Sequence, residues 1–231
     1  SSGTTVSNET QKSTQLTKSE VVTQITKGNV FVNGAMETRL NCQVHEDNKI
    51  EHCGVLLVAR PFRYMLMHKM SNTLSANNDG HYPSLLTALE IKNKDELHIV
   101  GRLDADTTGL VLITDDGRWS FNITRPQSDC PKVYRVILAK PINDEAVSKI
   151  QQGLLLQGET KPTLAAKVDI INDYEVKLTI YEGRYHQVKR MFFAVGNRVN
   201  KLHREQIGNV MLDIPEGQWR LLTHAEVMSF S

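Results

Sequence analysis

The sequence lacks the features that mark membrane, secreted and disulfide-rich proteins. No apolar run among its 231 residues approaches the roughly 20 residues that a membrane helix requires. The first fifteen residues, SSGTTVSNETQKSTQ, contain no apolar stretch of the kind that a secretory signal has. Only three cysteines occur, Cys42, Cys53 and Cys130, without a closely spaced metal-type pair. We therefore expect a cytoplasmic protein without a membrane segment, whose thiols are buried or incidental.

A large net charge is also missing. The chain has 27 basic and 26 acidic residues, so its net charge of +1 does not by itself indicate a nucleic-acid partner. The distribution is less even, because no acid occurs between Gly183 and Glu205. The basic and imidazole side chains of this segment are Arg184, His186, Lys189, Arg190, Arg198, Lys201, His203 and Arg204. Such a segment in a neutral protein indicates either an anion-binding surface or the solvated face of a helix.

The composition divides the chain into three parts. Residues 1–15 are rich in Ser, Thr, Asn and Gln, which predicts a disordered segment. Residues 16–58 read as a small α+β unit, in which Thr17 to Glu20 have capping-box spacing and VFVNG predicts a strand that enters a tight turn. Residues 60–231 read as the main domain.

The main domain mixes strands and helices without a regular βαβ rhythm, which favours an α+β fold over a doubly wound sheet. A polar loop is predicted at 71–83, followed by a helix that starts at Pro83 and carries Leu85, Leu86 and Leu89. Helices are also predicted at 143–152 and 186–196, and Thr223 to Glu226 have the spacing of a capping box. The predicted strands are 64–69, 133–139, 154–158, 165–171 and 174–183, with a hairpin over 209–223.

The segment GRLDADTTGLVLITDDG (101–117) allows four interpretations. The spacing of Asp104, Asp106, Thr108, Gly109 and Asp115 matches a calcium loop, although the apolar residues that follow are those of a buried strand. An aspartyl-phosphate enzyme with magnesium would need a strand directly before the acids, where Gly-Arg stands. The acids could also simply cap a strand. In the fourth interpretation one carboxylate is catalytic, which requires a neighbouring cation such as the segment 184–190 supplies.

Several motifs resemble a known family. GRLDADTTGLVLITDDG, CPKVYRV (130–136), EGRYHQVKRMF (182–192), LHREQIG (202–208) and EGQWRLLT (216–223) look like the signatures of the RsuA-type ribosomal RNA pseudouridine synthases. Residues 17–58 resemble the latter part of an S4-type RNA-binding module. Two departures are visible: SSGTTVSNETQKSTQ stands in place of a basic first helix, and Lys69-Met70-Ser71-Asn72 in place of a Lys-Pro and Gly motif.

The resemblance implies a mainly antiparallel α+β catalytic domain, preceded by the S4-like module, that isomerises uridine to pseudouridine in RNA. Asp104 would be the catalytic carboxylate, which attacks the sugar or the base or removes a sugar proton. Tyr134 would stack on the flipped-out uracil and assist proton transfer at C5. Lys189 would hold Asp104 charged, with Arg190 as the competing choice, and Asp106 would turn back onto loop amides.

The remaining implied contacts are with RNA. Phosphates or the base would be bound by Arg102, Arg184, His186, Gln187, Arg190 and Arg204. The similarity indicates 16S (small-subunit) ribosomal RNA, or a small-subunit assembly intermediate, as the partner of a monomer that uses no cofactor and no metal. Two rival functions are a non-catalytic RNA-binding or ribosome-assembly protein and a metal-dependent phosphatase.

Overall fold

The computed structural model describes residues 4–45, 47–57, 61–75, 84–87 and 89–231. It divides the chain into two compact units, Ser1–Phe62 and Arg63–Ser231. No helix within the described ranges is both long enough and apolar enough to cross a membrane.

Unit 1 is a small α+β unit. Its elements are β1 (Thr4–Thr5), α1 (Val6–Ser13), α2 (Lys18–Thr26), β2 (Val30–Val32), β3 (Ala35–Met36), β4 (Gln43–Val44), β5 (Ile50–His52) and β6 (Val55–Leu56). Four strands form a sheet in the order β3-β2-β5-β6, and β1 pairs with β4. Asn33 and Gly34 both have positive φ and join β2 to β3 as the tight hairpin that the Asn-Gly pair predicts.

The prediction of disorder over residues 1–15 is wrong for the part that the structure describes. The hydroxyl of Thr5 accepts a hydrogen bond from the amide of Asn8 and caps α1. Val6 and Thr10 are fully buried, and Val6 joins a core with Val21 and other apolar residues of unit 1. The polar composition was misleading because a two-turn helix needs only one narrow face to pack against a core.

Unit 2 contains β7 (Tyr64–Lys69), β8 (His98–Val100), β9 (Thr108–Thr114), α3 (Gly117–Thr124), β10 (Lys132–Leu138), α4 (Asp144–Gln152), β11 (Lys167–Asn172), β12 (Glu175–Ile180), α5 (Gln187–Ala194), β13 (Val199–Ile207), β14 (Val210–Met211), β15 (Trp219–Leu221) and α6 (His224–Met228). Nine strands form one sheet in the order β11-β12-β10-β13-β9-β7-β15, in which β8 also pairs with β9 and β14 with β13. Among the pairs within the described ranges, only β13 with β9 is parallel. The predicted α+β fold with a mainly antiparallel sheet is confirmed.

The sheet is covered on both faces around β9. Val111 and Ile113 of this strand pack in a core to which α4 and α5 contribute, whereas Leu110 and Leu112 pack in a second core with residues of α3. Burial on both faces explains why the strand reads as an unbroken apolar run. The loop that precedes β9 is therefore fixed to the most buried strand of the unit.

Two predictions for unit 2 are wrong, and a third lies partly outside the described residues. Residues 154–158 are not a strand, because Leu154 instead exchanges hydrogen bonds with Thr163 across a turn. The tail is not a hairpin, since β14 pairs with β13 and β15 pairs with β7. Much of the polar loop at 71–83, and Pro83 at the start of the predicted helix, lie outside the described residues. Leu85 and Leu86 lie in a buried turn.

Candidate active site

The loop that carries Asp104 (residues 104–107, called the Asp104 loop below) is held from beneath by a buried lysine. The ammonium of Lys69, at the end of β7, donates to the carbonyl oxygens of Met70 (3.0 Å), Ala105 (2.9 Å) and Thr107 (2.7 Å). Its side chain is fully buried. Burial lowers the pKa of Lys69 to about 8, although the charges of the two aspartates of the loop oppose this shift.

Sequence reasoning named Lys69 only as part of a departure from a family motif and gave it no role. Its position at the end of an apolar strand could have indicated a role, because a lysine is almost never fully buried unless it has hydrogen-bond partners. Its partners are backbone carbonyls, which carry no sequence signature.

Arg204, predicted to contact phosphate or a base, lines the cleft, but its guanidinium is engaged by backbone carbonyls. The residue is 2% exposed, and its guanidinium donates to the carbonyls of Leu110 (2.9 Å) and Gly101 (2.6 Å). It thereby fixes the start of β9 and the lead-in to the Asp104 loop. Gly109 has a φ of 118°, and a Cβ there would meet the backbone of Arg204, so this close approach of β9 to β13 requires glycine.

Asp104 lies between two side chains from the region of α5. Its Oδ2 is 3.2 Å from Nζ of Lys189, and its Oδ1 is 3.1 Å from Nε2 of His186. The side chain of Asp104 remains 34% exposed, so the carboxylate can reach a ligand. The contact across 85 residues that the sequence predicted between Asp104 and Lys189 is present.

Lys189 also contacts Asp106, with Nζ 2.8 Å from Oδ1. Although burial lowers the pKa of Lys189, its hydrogen bonds to Asp106 and Asp104 outweigh burial and raise the pKa above its usual value. The hydrogen bond from Lys189 holds the pKa of Asp106 below its usual range. The carboxylate of Asp106 was predicted to turn back onto loop amides. It accepts a hydrogen bond from its own backbone amide and also one from the ammonium of Lys189, whose charge makes the stronger hydrogen bond.

Arg190 is not the partner of Asp104. Its guanidinium contacts Glu159 at 3.2 Å and donates to the carbonyls of Gln157 and Tyr185. It therefore fastens the segment before α5 to a neighbouring turn and does not project into the site as a free cation.

Arg184 and Gln187, which were also predicted to bind RNA, likewise contact other residues of the protein. Arg184 contacts Glu182 at 3.0 Å and donates to the carbonyls of Lys161 and Pro162. Gln187 is 4% exposed, donates to Glu182 and accepts from the amide of Arg184. Arg184 and Gln187 thus shape the loop before α5, and their predicted contacts with RNA stay a prediction. Glu182, which contacts both of them, is a residue that sequence reasoning missed.

His186 is presented at the mouth of the site by this loop. Its backbone is left-handed, with a φ of 47°, an uncommon conformation for a residue other than glycine. Its ring stacks on that of Tyr185, with centroids 3.9 Å apart and planes inclined by 22°. Tyr185 is 77% exposed. Like Glu182, it was not identified from the sequence.

These side chains surround a cleft of about 750 Å³, within the size range of ligand-binding sites. Tyr134 lines it from β10 and is 8% exposed, and the exposed Arg102 lies at its wall. Of the nine predicted site residues, all except Arg190 line the cleft: Arg102, Asp104, Tyr134, Arg184, His186, Gln187, Lys189 and Arg204.

The calcium-loop interpretation does not fit this geometry. Thr108 and Gly109 lie in β9, and Asp115 binds the backbone amide and the guanidinium of Arg63. Within the described ranges, no group of three or more His, Cys, Asp or Glu side chains could hold a metal ion. The cation beside Asp104 and Asp106 is the ammonium of Lys189.

Comparison with known proteins gives consistent results. The family model described as RNA pseudouridylate synthase matches residues 63–194. The ribosomal small subunit pseudouridine synthase A of Haemophilus influenzae is 43% identical over 215 residues, which cover 92% of this chain and 93% of that protein. Its counterpart of the same name from Vibrio cholerae is 42% identical with the same coverage.

A solved structure supports the same assignment. The crystal structure of a pseudouridylate synthase is 39% identical, covers 99% of this chain and 100% of its own, and superposes with a TM-score of 0.72. Sequence motifs, fold and relatives thus agree, and the chain belongs to the RNA pseudouridine synthase family.

Proposed function

We propose that this protein converts a uridine of 16S (small-subunit) ribosomal RNA to pseudouridine, with Asp104 as the catalytic carboxylate. The names of the relatives from Haemophilus influenzae and Vibrio cholerae support the choice of small-subunit RNA. The observation that carries the role of Asp104 is its position in the cleft, half-exposed and between Lys189 and His186.

The chemistry requires one bond to break and another to form. The N1–C1′ bond of uridine is cleaved, the uracil turns, and a C5–C1′ bond forms. C5 loses its proton and N1 gains one, so the product is an isomer of the substrate. The target base must leave any stack to enter the cleft, at a cost of roughly a few kcal/mol. The carboxylate of Asp104 can act as nucleophile or base in these steps, and the ammonium of Lys189, with Nζ 3.2 Å from Oδ2, pairs with its charge and orients it.

Tyr134 has the position for a second role. It lies on β10 in the wall of the cleft, where its ring offers a flat surface for a uracil and its hydroxyl a group for proton transfer at C5. Arg102 is exposed at the same cleft and is placed to bind phosphate. We assign His186 to orienting Asp104 until the substrate is bound.

The experiment uses 16S ribosomal RNA with tritium at C5 of its uridines, because only isomerisation releases this label into water. We expect release by the wild-type protein and none by Asp104→Asn or Asp104→Ala, with circular dichroism of both variants unchanged. Equal release by wild type and Asp104→Ala would overturn the role of Asp104. Binding of RNA without release by the wild type would favour the rival function of a non-catalytic assembly protein, and loss of activity with a chelator would favour a metal-dependent enzyme.

The proposal extends to the substrate form and the N-terminal unit. Naked 16S RNA and small-subunit assembly intermediates are assayed side by side, since either carries the target. We propose that unit 1 is an S4-like RNA-binding module, and that the protein works as a cytoplasmic monomer. Deletion of residues 1–62 is expected to raise KM for RNA more than it lowers kcat.

A further inference from the structure

A second cavity borders the Asp104 loop beside the catalytic cleft. Its volume is about 620 Å³, and Thr107, Lys189 and Leu202 line both cavities. Asp104 lines the cleft, whereas Asp106 lines the second cavity. A strand of RNA whose uridine occupies the cleft therefore has this cavity directly beside it.

The sheet supplies the floor of the second cavity. Arg135 and Ile137 of β10 lie opposite His203 and Lys201 of β13, and His203 lies opposite Thr108 of β9. All five line the cavity. Since paired residues of neighbouring strands share a face, this arrangement places polar side chains side by side along three adjacent strands.

The cations of the cavity differ in how free they are. Arg135 contacts Glu205 at 3.1 Å and Glu175 at 3.7 Å, and Lys189 contacts the two aspartates of the Asp104 loop. Lys201 is exposed and, within the described part of the chain, forms no ion pair. An anion that enters the cavity can thus bind Lys201 without first breaking a salt bridge.

Asp106 determines where such an anion would bind. Its side chain is 68% exposed, lines the cavity and contacts Lys189, with Oδ1 2.8 Å from Nζ. Its charge repels a phosphate from the ammonium that serves Asp104, which leaves Lys201 as the site for a phosphate. Hydroxyl and amide groups of Ser71, Thr108 and Asn200 in the same walls can bond to ribose hydroxyls or base edges.

We propose that the second cavity binds the nucleotide that flanks the target uridine on one side, with its backbone phosphate against Lys201. The inference rests on the proposed function, because it assumes that the uridine enters the cleft. A single phosphodiester joins the flanking nucleotide to the flipped-out one, so a subsite for it must adjoin the cleft, as this cavity does. Lys201 is then a binding residue of the substrate strand and not a residue of the chemical step.

The test compares Lys201→Met with Lys167→Met. Lys167 lies on β11 with 66% of its side chain exposed and lines neither cavity, so its variant controls for the loss of one positive charge. Binding of a fluorescein-labelled 16S RNA fragment is followed by anisotropy, and turnover by tritium release. Lys201→Met is expected to weaken binding and raise KM about tenfold, the size of one charge-assisted contact, with kcat unchanged. The slope of log affinity against log salt should fall by about 0.7 to 1.

Shortened RNAs locate the contact. The tenfold effect of Lys201→Met should disappear when the nucleotides on one side of the target uridine are removed, and persist when those on the other side are removed. Affinity and salt slope equal to those of Lys167→Met would overturn the inference, as would an effect that survives both truncations. If the protein releases tritium but its RNA binding does not depend on Lys201, the subsite is refuted and the proposed function stands. If RNA binding depends on Lys201 but no tritium is released, the proposed function is refuted and the binding site stands.

Discussion

Replacement of Lys69 by methionine tests how the Asp104 loop is held. The variant keeps the length of the side chain but removes the three hydrogen bonds that the ammonium donates to the carbonyls of Met70, Ala105 and Thr107. The carbonyls of Met70 and Ala105 keep a second donor, the hydroxyl of Thr73 and the amide of Asn72, respectively. A hydrogen bond that involves a charged group contributes about 1.5–3 kcal/mol, so the three together contribute on the order of 6 kcal/mol. Against this, methionine removes a buried charge, and the lowering of the pKa of Lys69 from 10.5 to about 8 corresponds to about 3 kcal/mol.

The free energy lost with the three hydrogen bonds exceeds the free energy gained when the buried charge is removed. We therefore expect the free energy of unfolding to fall by about 3 kcal/mol. For a domain of this size the melting temperature would fall by about 6–12 °C. The assay is urea unfolding followed by tryptophan fluorescence, because both tryptophans, Trp119 and Trp219, lie in unit 2. The kcat should fall as well, since the same hydrogen bonds position the loop of Asp104.

The pH dependence supplies an independent check. The folded protein releases the proton of Lys69 near pH 8, whereas the unfolded chain holds it until about 10.5, so the unfolded state binds more protons in between. The stability contributed by wild-type Lys69 therefore rises with pH across this window, and the difference from Lys69→Met should widen there by on the order of 3 kcal/mol. Unchanged stability, or a difference that stays constant from pH 7.5 to 10, would refute the reasoning. Lys167→Met serves as the exposed control.

Three further variants test separate parts of the molecule. Gly109→Ala should destabilise unit 2 by at least about 3 kcal/mol in urea unfolding, because its Cβ would meet the backbone of β13 at a positive φ, and wild-type stability would contradict this. Lys189→Met should lower kcat roughly a hundredfold with little change in melting temperature, since Asp104 loses its cation, and an unchanged kcat would dismiss that pairing. Glu226 contacts Arg220 at 2.7 Å, and this contact lowers the pKa of Glu226 to about 2. The ion pair therefore contributes fully to the free energy of unfolding above pH 4.5, and this contribution is lost as the pH falls towards 2. Glu226→Gln should therefore cost about 2 kcal/mol at pH 7 and almost nothing at pH 2, and a cost independent of pH would refute this ion pair.

The parts of the fold that sequence predicted well are those with strong local patterns. The strand of β9, the helix α5 and the capping box at Thr223 follow from apolar periodicity and from the hydrogen-bonding needs of helix starts. The capping box is present with both of its hydrogen bonds. The tail was mispredicted because β15 pairs with β7, about 150 residues earlier in the chain, and pairing at that distance leaves no local signal.

In the candidate site, too, the sequence predicted the residues that lie in long motifs but not the contacts that depend on the fold. Asp104 and Lys189 were found together because the motif around each is long and a carboxylate needs a cation. Arg184 and Arg204 were assigned to RNA from the family resemblance. In the fold, backbone carbonyls accept hydrogen bonds from both guanidinium groups, and a pattern of side chains cannot predict such contacts. The position of His186 against Asp104 depends on a left-handed backbone at a residue that does not require one.

The most direct measurement maps pseudouridines in 16S ribosomal RNA from cells that lack the gene for this protein. The cells carry either the wild-type protein or Asp104→Asn, expressed at equal levels. We predict that one pseudouridine is missing from the deletion strain, returns with the wild type and stays absent with Asp104→Asn. An unchanged pseudouridine map in the deletion strain, or restoration of the missing one by Asp104→Asn, would contradict the account.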